Sequence, residues 1–240
     1  MFYLLEKLAL NTIAWVVILS SGINVSGQNA EFTPVDRWYE VYLGNTKVGY
    51  VSDIMQKEGD VIKSRNEFVM LIKRAGQTVE ITVEQETKEK LSGELIDFTS
   101  ETKMAGIPML KKGRVEGKEL VVYEKQFITG KETRYPFDPE GAVSWGLRKQ
   151  VLENGFQEAG KTYQLKVYSP DLGMKAPVTA NIICSGEKLI EIGEEKIQAY
   201  EVDMELLSTF GSLKTRSWFD KECVAVRTDM NMGGMNISII

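Results

Sequence analysis

Hydrophobic and polar residues alternate with a period of two along much of this 240-residue chain. Three segments show the pattern clearly, and their apolar members are Val79, Ile81 and Val83; Tyr163, Leu165 and Val167; and Tyr200, Val202, Met204 and Leu206. Such alternation is typical of antiparallel strands that bury one face and expose the other. The chain is therefore predicted to be mainly β.

Turn signals lie between the alternating segments and indicate how the strands connect. Gly44 and Asn45 separate two runs of aromatic and β-branched residues, 37–43 and 47–51, which is a hairpin pattern. Similar glycine-containing turns recur along the chain and delimit about a dozen strands in up-and-down order. The strands are too long and too unevenly spaced for an immunoglobulin-like sandwich. We predict a long antiparallel meander that forms a curved sheet or half-barrel.

One helix is predicted over about residues 139–154, between two groups of strands. Asp138 can cap its N-terminus, and Pro139 suits the first helical position. Gly155 can end the helix because glycine readily adopts the left-handed conformation. We therefore expect this helix to pack on the curved sheet.

Apolar residues lie on two sides of the predicted helix. Val143, Leu147 and Val151 form one stripe, and Trp145 and Leu152 lie on another side. A helix with two apolar sides usually packs between two layers of structure. In the other interpretation, Trp145 and Leu152 face a ligand cavity.

The first 27 residues are built like a secretory signal peptide. An apolar run over residues 14–19 is followed by the small residues around Val25, Ser26 and Gly27, where a signal peptidase can cut. The run is shorter than the roughly 20 residues that span a bilayer, so cleavage is favoured over an uncleaved anchor helix. We expect export to the periplasm or the extracellular space, with no membrane span once the signal is removed.

Residues 28–240 are predicted to form a single β-rich domain, because no linker or low-complexity tract interrupts them. Within it we expect a first meander over residues 36–137, a helical segment over 138–155 and a second meander over 160–240.

The chain contains no histidine, and this absence excludes several classes of enzyme. Histidine is the usual general base near neutral pH and the commonest metal ligand, so Ser-His-Asp, Cys-His and His-ligated zinc sites cannot form. The net charge of −5 gives the protein no electrostatic reason to bind nucleic acid. Its many carboxylates alternate with apolar residues or cluster in turns, which indicates solvated faces. We expect no catalytic residues and no cofactor.

Two groups of sulfur-containing residues are the remaining candidates for chemistry. Cys184 and Cys223 are the only cysteines, and a disulfide between them would close a loop of about 40 residues and contribute roughly 3–4 kcal/mol. Cys184 also occupies a position that the alternation along its strand predicts to be buried and apolar, so a free buried thiol stays an alternative. Met230, Met232 and Met235 are soft ligands that can hold Cu(I), whereas methionines commonly fill irregular core space instead.

Three segments of the chain resemble parts of a β-rich extracytoplasmic bacterial domain that precedes transglutaminase-like domains. They are Trp38 to Tyr50, residues 186–188 and residues 217–222. In outline the chain is also similar to lipoprotein-carrier folds, in which a curved antiparallel sheet wraps a helix. The resemblance implies a β-rich envelope protein over roughly residues 36–240. Transglutaminase or protease activity is not implied, because the chain has no histidine.

These observations favour a non-catalytic exported β-domain that binds an apolar small molecule, a lipid or a segment of an envelope protein. The alternative is an interaction or scaffold module without a ligand cavity, associated with envelope proteins such as transglutaminase-like proteins. A histidine-free enzyme that uses carboxylates is the third alternative.

Overall fold

The computed structural model describes residues 31–74, 76–170, 173–208, 211–232 and 234–240. These residues form one helix and fourteen strands. The strands before the helix are β1 (Val35–Leu43), β2 (Thr46–Glu58), β3 (Val61–Arg74), β4 (Gln77–Lys90), β5 (Leu95–Met104), β6 (Ile107–Glu116), β7 (Glu119–Gln126) and β8 (Thr129–Pro136). The helix α1 (Ser144–Asn154) is followed by β9 (Thr162–Ser169), β10 (Gly173–Ile192), β11 (Glu195–Ser208), β12 (Gly211–Phe219), β13 (Ala225–Met232) and β14 (Met235–Ile239).

All fourteen strands belong to a single curved antiparallel sheet that does not close into a barrel. Its order is β8-β7-β6-β5-β4-β3-β2-β1-β14-β13-β12-β11-β10-β9. Each strand therefore pairs with its neighbour in sequence, except where β1 pairs with β14 through Val41 and Ile239. The prediction of a mainly β, curved antiparallel meander with one helix is confirmed. The expected signal peptide lies outside the described residues.

The segment after β8 lies against the opposite edge of the sheet. Ala142 forms backbone hydrogen bonds with Lys166 and Tyr168 of β9, at 2.9 and 2.8 Å. The Phe137 ring stacks on the Tyr168 ring with centroids 5.8 Å apart, and the Tyr168 hydroxyl accepts a hydrogen bond from the Asp138 backbone N–H. The connection to the helix thus partly covers the β9 edge.

The helix begins later than the sequence predicts. The Asp138 carboxylate accepts a hydrogen bond from the Glu140 backbone N–H at 3.0 Å, which makes a turn rather than a helix cap. Residue 142 is then held by β9, so α1 starts only at Ser144. The prediction of a start at Pro139 is therefore wrong. The predicted end is confirmed, since Gly155 has φ of 77° and its N–H bonds to the Leu152 carbonyl oxygen.

The core lies on the inner face of the curved sheet, and part of it packs against α1. One apolar cluster joins the helix to the second meander and includes Leu147, Val151 and Ile182. A second cluster, with Val41 and Phe68 among its members, lies where β1 to β4 meet β13 and β14. Burial of these side chains is the main favourable contribution to folding.

A band of polar residues also lies on the inner face of the first meander. The register places Asp53, Asn66, Gln85 and Ser100 side by side on β2, β3, β4 and β5, and all four are buried. Buried polar groups need hydrogen-bond partners to offset their loss of hydration. The interior of the first meander is therefore not a simple apolar core.

Among the described residues, there is no helix that is long and apolar enough to cross a membrane.

Candidate ligand-binding groove

The N-terminus of α1 is capped by a carboxylate from β4. Glu89 is fully buried, and its two carboxylate oxygens accept hydrogen bonds from the backbone N–H groups of Trp145 (2.7 Å) and Gly146 (2.8 Å). The Thr87 hydroxyl donates a further hydrogen bond at 3.2 Å. A carboxylate at this position satisfies N–H groups that have no partner within the helix and interacts favourably with the helix dipole.

Two glycines allow the helix to approach the β4–β5 turn closely enough for this cap. A Cβ on Gly146 would lie 2.4 Å from the Gly93 carbonyl oxygen, and Gly93 itself has φ of +94°. Loss of hydration raises the pKa of Glu89, whereas its hydrogen bonds lower it. The loss of hydration has the larger effect, so burial raises the pKa of Glu89 to about 7. Glu89 thus anchors the helix on the sheet and has no access to a ligand.

Arg148 is a second buried charged residue on the same helix. Its Nη1 donates hydrogen bonds to the Thr33 carbonyl oxygen at 3.2 Å and to the Met55 sulfur at 3.6 Å. Its Nε and Nη2 have no hydrogen-bond partner among the described residues. Burial lowers the pKa of Arg148 to about 10, so the guanidinium still carries its charge at neutral pH.

The structure places Trp145 and Leu152, the sequence-predicted ligand-facing residues, in the interior. The Trp145 side chain has no exposed surface. Its ring meets Phe32 edge-on at 5.3 Å, and its indole N–H donates to the Leu91 carbonyl oxygen at 3.0 Å. Leu152 is 8% exposed and packs in the cluster between α1 and the second meander.

Cys184 and Cys223 lie in the same apolar cluster, and both are free thiols in this structure. Burial raises the pKa of the Cys184 thiol and raises that of Cys223 to about 12. A buried thiol with a raised pKa is a poor nucleophile. The predicted disulfide between them stays a prediction.

The methionines proposed as Cu(I) ligands lie at the β13–β14 hairpin. Met230 is buried beside Ile237 in the apolar cluster of the first strands, while Met235 is half-buried. The Met232 side chain lies outside the described residues. Across the described part of the chain, no group of three or more Cys, Asp or Glu side chains is arranged to hold a metal ion.

A groove of about 740 Å³ lies on the other side of the second meander, facing away from the core. Residues from five adjacent strands and the β1–β2 turn line it. The outward-facing polar ones are Asn45, Asn181, Asp203, Glu205, Lys214, Arg216, Arg227, Asp229, Asn231, Asn236 and Ser238, and the outward-facing apolar ones are Ile183 and Trp218. Met204, Thr215, Met230 and Ile237 also border the groove, but their side chains are buried on the core side of the sheet. We call this feature the β10–β14 groove. Its volume is within the range of small-molecule sites.

Cross-strand pairing arranges the charged lining residues in rows. One row runs through Asp203 of β11, Arg216 of β12, Asp229 of β13 and Ser238 of β14. Arg216 donates two hydrogen bonds to Asp203, at 2.7 and 3.0 Å, and these bonds raise the pKa of Arg216. Arg227 makes the same two-bond contact with Asp229, at 3.0 and 2.8 Å. Such bidentate pairs fix the orientation of both partners.

Trp218 of β12 lies in the neighbouring row, between Glu201 of β11 and Arg227 of β13. Its indole N–H donates to a Glu201 carboxylate oxygen at 3.2 Å, and the Arg227 guanidinium lies over the ring, 5.3 Å from its centre. Trp218 is half-buried and lines the groove, so the groove combines one aromatic wall with fixed donors and acceptors.

Alternation alone does not identify these groove residues, because it indicates only that the acids at positions 201, 203 and 205 lie on a solvated face. A usable signal was present, because Lys214 and Arg216 occupy the matching positions of the next strand. Recognising it requires the hairpin register, which places opposite charges side by side.

Comparison with known proteins supports the fold. No family model matches the chain, and no curated protein sequence matches it. The chain is similar in structure to a β-barrel-like protein of the domain of unknown function DUF1849 from Brucella abortus, with a TM-score of 0.65 and 14% identity over 86% of this chain and 94% of that one. A DUF1089 family protein from Pseudomonas aeruginosa matches with a TM-score of 0.41 and 9% identity over 77% and 89% of the two chains. The first likeness shows the β-rich, barrel-like fold alone.

Proposed function

We propose that this chain is a non-catalytic binding domain of the cell envelope and that its ligand lies in the β10–β14 groove. The observation that carries the proposal is the ordered polar lining of this groove, in which one bidentate ion pair joins β11 to β12 and another lies within β13, so that their donors and acceptors are fixed. Ligand sites characteristically combine a concave surface with a few polar groups held in place.

The interior offers less support for an apolar ligand. Trp145 and Leu152, which would face such a ligand under the helix, are covered by Phe32 and by the core cluster of the second meander. The groove instead offers a surface for a polar ligand. Its three cations and three carboxylates balance: Lys214, Arg216 and Arg227 against Asp203, Glu205 and Asp229. We therefore infer a ligand that is polar and carries little net charge.

The chemistry of the groove supports binding rather than catalysis. General acid–base work needs a group that changes protonation near neutral pH. The chain has no histidine, and each carboxylate that lines the groove is paired with a cation: Asp203 with Arg216, Glu205 with Lys214 and Asp229 with Arg227. The ion pairs hold the carboxylate oxygens in place as acceptors, which suits hydrogen bonding to a ligand.

Nuclear magnetic resonance tests the location of the site. Labelled mature protein would be mixed in turn with a polysaccharide fraction, a protein fraction and phospholipid vesicles prepared from bacterial envelopes. We expect shifts at the Trp218 indole N–H and at the amides of β11 to β13 with one of the first two. Shifts confined to the Trp145 indole with vesicles would support the apolar-ligand alternative instead. The absence of groove shifts with every fraction would contradict the proposal.

A matched pair of charge reversals provides the control. Arg216→Glu places a third negative charge beside Asp203 and Glu201, so it should abolish the groove shifts. Arg65→Glu makes the same change on β3, where Arg65 is similarly exposed and pairs with Glu84 outside the groove. The shifts should survive in this variant.

The scaffold alternative predicts a specific outcome of the same experiment. If the domain docks an envelope protein, such as a transglutaminase-like protein, the groove should respond to the protein fraction and not to polysaccharide. The filled space around Trp145 favours this alternative over an internal carrier.

Export is part of the proposal and has a separate test. The short apolar run and the small residues before Gln28 support cleavage of the N-terminal segment. Mass spectrometry of protein recovered from the envelope or medium should show an N-terminus close to Gln28. Intact Met1 on a membrane-bound chain would contradict it.

A further inference from the structure

We infer that the ligand of the β10–β14 groove is a neutral oligosaccharide that lies across the strands. The inference rests on the proposed function, because it assigns a ligand class to the same site. Three properties of the groove support it: its balanced charge, the spacing of its polar groups and the presence of Trp218.

The charged groups are paired and yet retain hydrogen-bonding capacity. A guanidinium has five N–H donors and a carboxylate has about four acceptor positions, of which each bidentate pair uses two. The Arg216 and Asp203 side chains are 50% and 34% exposed, and those of Arg227 and Asp229 are 30% and 32% exposed. Remaining donors and acceptors are therefore accessible to a ligand. A sugar hydroxyl both donates and accepts, so it can bind beside such a pair without separating it.

Net charge argues against ionic ligands. A polyanion would be attracted by Lys214, Arg216 and Arg227 but repelled by the equal number of carboxylates that line the same groove. Displacing Asp203 or Asp229 from its arginine would cost the bidentate hydrogen bonds. A neutral ligand avoids this cost.

The spacing of the polar groups along each row suits a chain of sugar rings. Adjacent strands lie about 4.8 Å apart, so the groove presents a new set of polar groups at that interval from β10 to β14. This interval is close to the length of one pyranose unit. Planar amide, carboxylate and guanidinium groups can each contact two neighbouring hydroxyls, and the groove also contains Asn45, Asn181, Asn231 and Asn236. The Asn231 amide donates to Asn236 and the Asn181 oxygen accepts from Gln164, so these amides are held in place in the same way as the ion pairs.

Trp218 supplies the apolar contact that a sugar ring needs. Pyranose rings have apolar C–H faces, which pack on the electron-rich faces of aromatic rings. The Arg227 guanidinium covers one face of the indole, so a sugar ring would pack on the opposite face. The hydrogen bond to Glu201 and the overlying Arg227 hold the indole in place, so little conformational entropy is lost when a ligand binds. Ile183, which is 49% exposed, adds apolar surface on β10.

Isothermal titration calorimetry with defined sugars tests the inference. The probes are neutral oligosaccharides of two to about six hexose or N-acetylhexosamine units in α and β linkages. We expect saturable binding of at least one series, with affinity that rises with chain length. Because the ligand is neutral, the affinity should change less than about twofold between low and high salt. No binding by any series, or binding only to a charged sugar with strong salt dependence, would overturn the inference.

Three variants locate the binding. Trp218→Ala should weaken affinity roughly tenfold or more. Asp203→Asn keeps the side-chain shape and exchanges one acceptor for a donor, so it should also weaken binding about tenfold if the variant stays folded. Trp38→Ala removes a 65% exposed tryptophan of β1 that does not line the groove, and it should leave affinity unchanged. Equal losses in Trp38→Ala and Trp218→Ala would contradict binding in the groove.

The two proposals fail in distinguishable ways. If no sugar binds but the envelope protein fraction still shifts the Trp218 signal, the oligosaccharide inference is wrong and the groove remains the binding site. If neither sugars nor envelope fractions affect the groove, both proposals are wrong.

Discussion

Charged residues occupy two contrasting regions of this protein, the interior around α1 and the β10–β14 groove. In the interior, Glu89 and Arg148 are completely buried, and their hydrogen bonds are mainly to backbone groups. In the groove, Asp203 and Arg216 are partly exposed and bind each other side by side. The interior charges bind backbone groups, and the Arg148 guanidinium also lies 5.6 Å from the centre of the Trp145 ring, whereas the groove charges bind each other in pairs.

The difference indicates separate roles. A buried charge loses its hydration, so its protonation and its hydrogen bonds affect the stability of the fold. A partly exposed ion pair contributes little to stability because water screens it. We therefore expect changes in the interior to alter folding and changes in the groove to alter binding.

The largest effect is expected for Trp145→Ala, which removes a fully buried ring beside Phe32 and leaves the Leu91 carbonyl oxygen without its donor. The free energy of unfolding, measured with denaturant, should fall by about 3–5 kcal/mol. Trp38→Ala, at an exposed site, should lower it by less than about 1 kcal/mol. Near-native stability of Trp145→Ala, with loss of binding to a fluorescent fatty acid, would instead mark Trp145 as a ligand contact.

The next effect concerns pH and Glu89. Its pKa is raised from 4.5 to about 7 in the fold, so the folded state binds the proton more tightly than the unfolded chain does. Its contribution to stability is therefore complete below pH 4.5 and is lost as the pH rises through about 7. The loss should approach about 3 kcal/mol.

Denaturant unfolding between pH 4.5 and 8 measures this contribution. Glu89→Gln should remove it from the pH profile, whereas Glu86→Gln, which changes an exposed carboxylate on the same strand, should keep the wild-type slope. Identical profiles for Glu89→Gln and the wild type would show that Glu89 does not titrate in this range.

A smaller effect of opposite sign is expected for Arg148. Its Nε and Nη2 lack hydrogen-bond partners among the described residues, and methionine has a similar length without the charge. Arg148→Met should leave the free energy of unfolding unchanged or raise it by about 1–2 kcal/mol, since the hydration that a buried charge loses is costly. A loss above about 2 kcal/mol would show that the guanidinium contributes interactions that stabilise the interior.

The smallest effect on stability is expected in the groove. Arg216→Ala removes a partly exposed pair, so thermal unfolding should report a change below about 1 kcal/mol, similar to that of Arg65→Ala on β3. Binding should separate the two variants, with loss only for Arg216→Ala. A strong destabilisation by Arg216→Ala would remove the distinction between the two regions.

Much of the fold could be predicted from local patterns. The turn at Gly44 and Asn45 joins β1 and β2 as expected, and Ile81 and Val83 are buried on the face that their alternation indicates. Gly155 ends the helix because glycine permits the required conformation. These features depend on residues that are close in sequence.

Other features depend on residues far apart in sequence and could not be predicted. The start of α1 is fixed by Glu89, which is 56 positions from Trp145, and not by the nearby Asp138. The groove requires the register of β11, β12 and β13, which brings Asp203, Arg216 and Asp229 together. Alternation shows that these side chains point outward, but it does not show which of them become neighbours.

The single pairing between β1 and β14 has a consequence for the kinetics of folding. Every other ladder joins strands that are consecutive in sequence, whereas Val41 and Ile239 are 198 positions apart. Closing so long a loop carries a large entropic cost, and contacts of high sequence separation slow folding. We therefore expect each meander to gain its hairpins first and the short strand β14 to join β1 last. In that order, the unpaired edge of β1 would be exposed to intermolecular strand pairing until the final step.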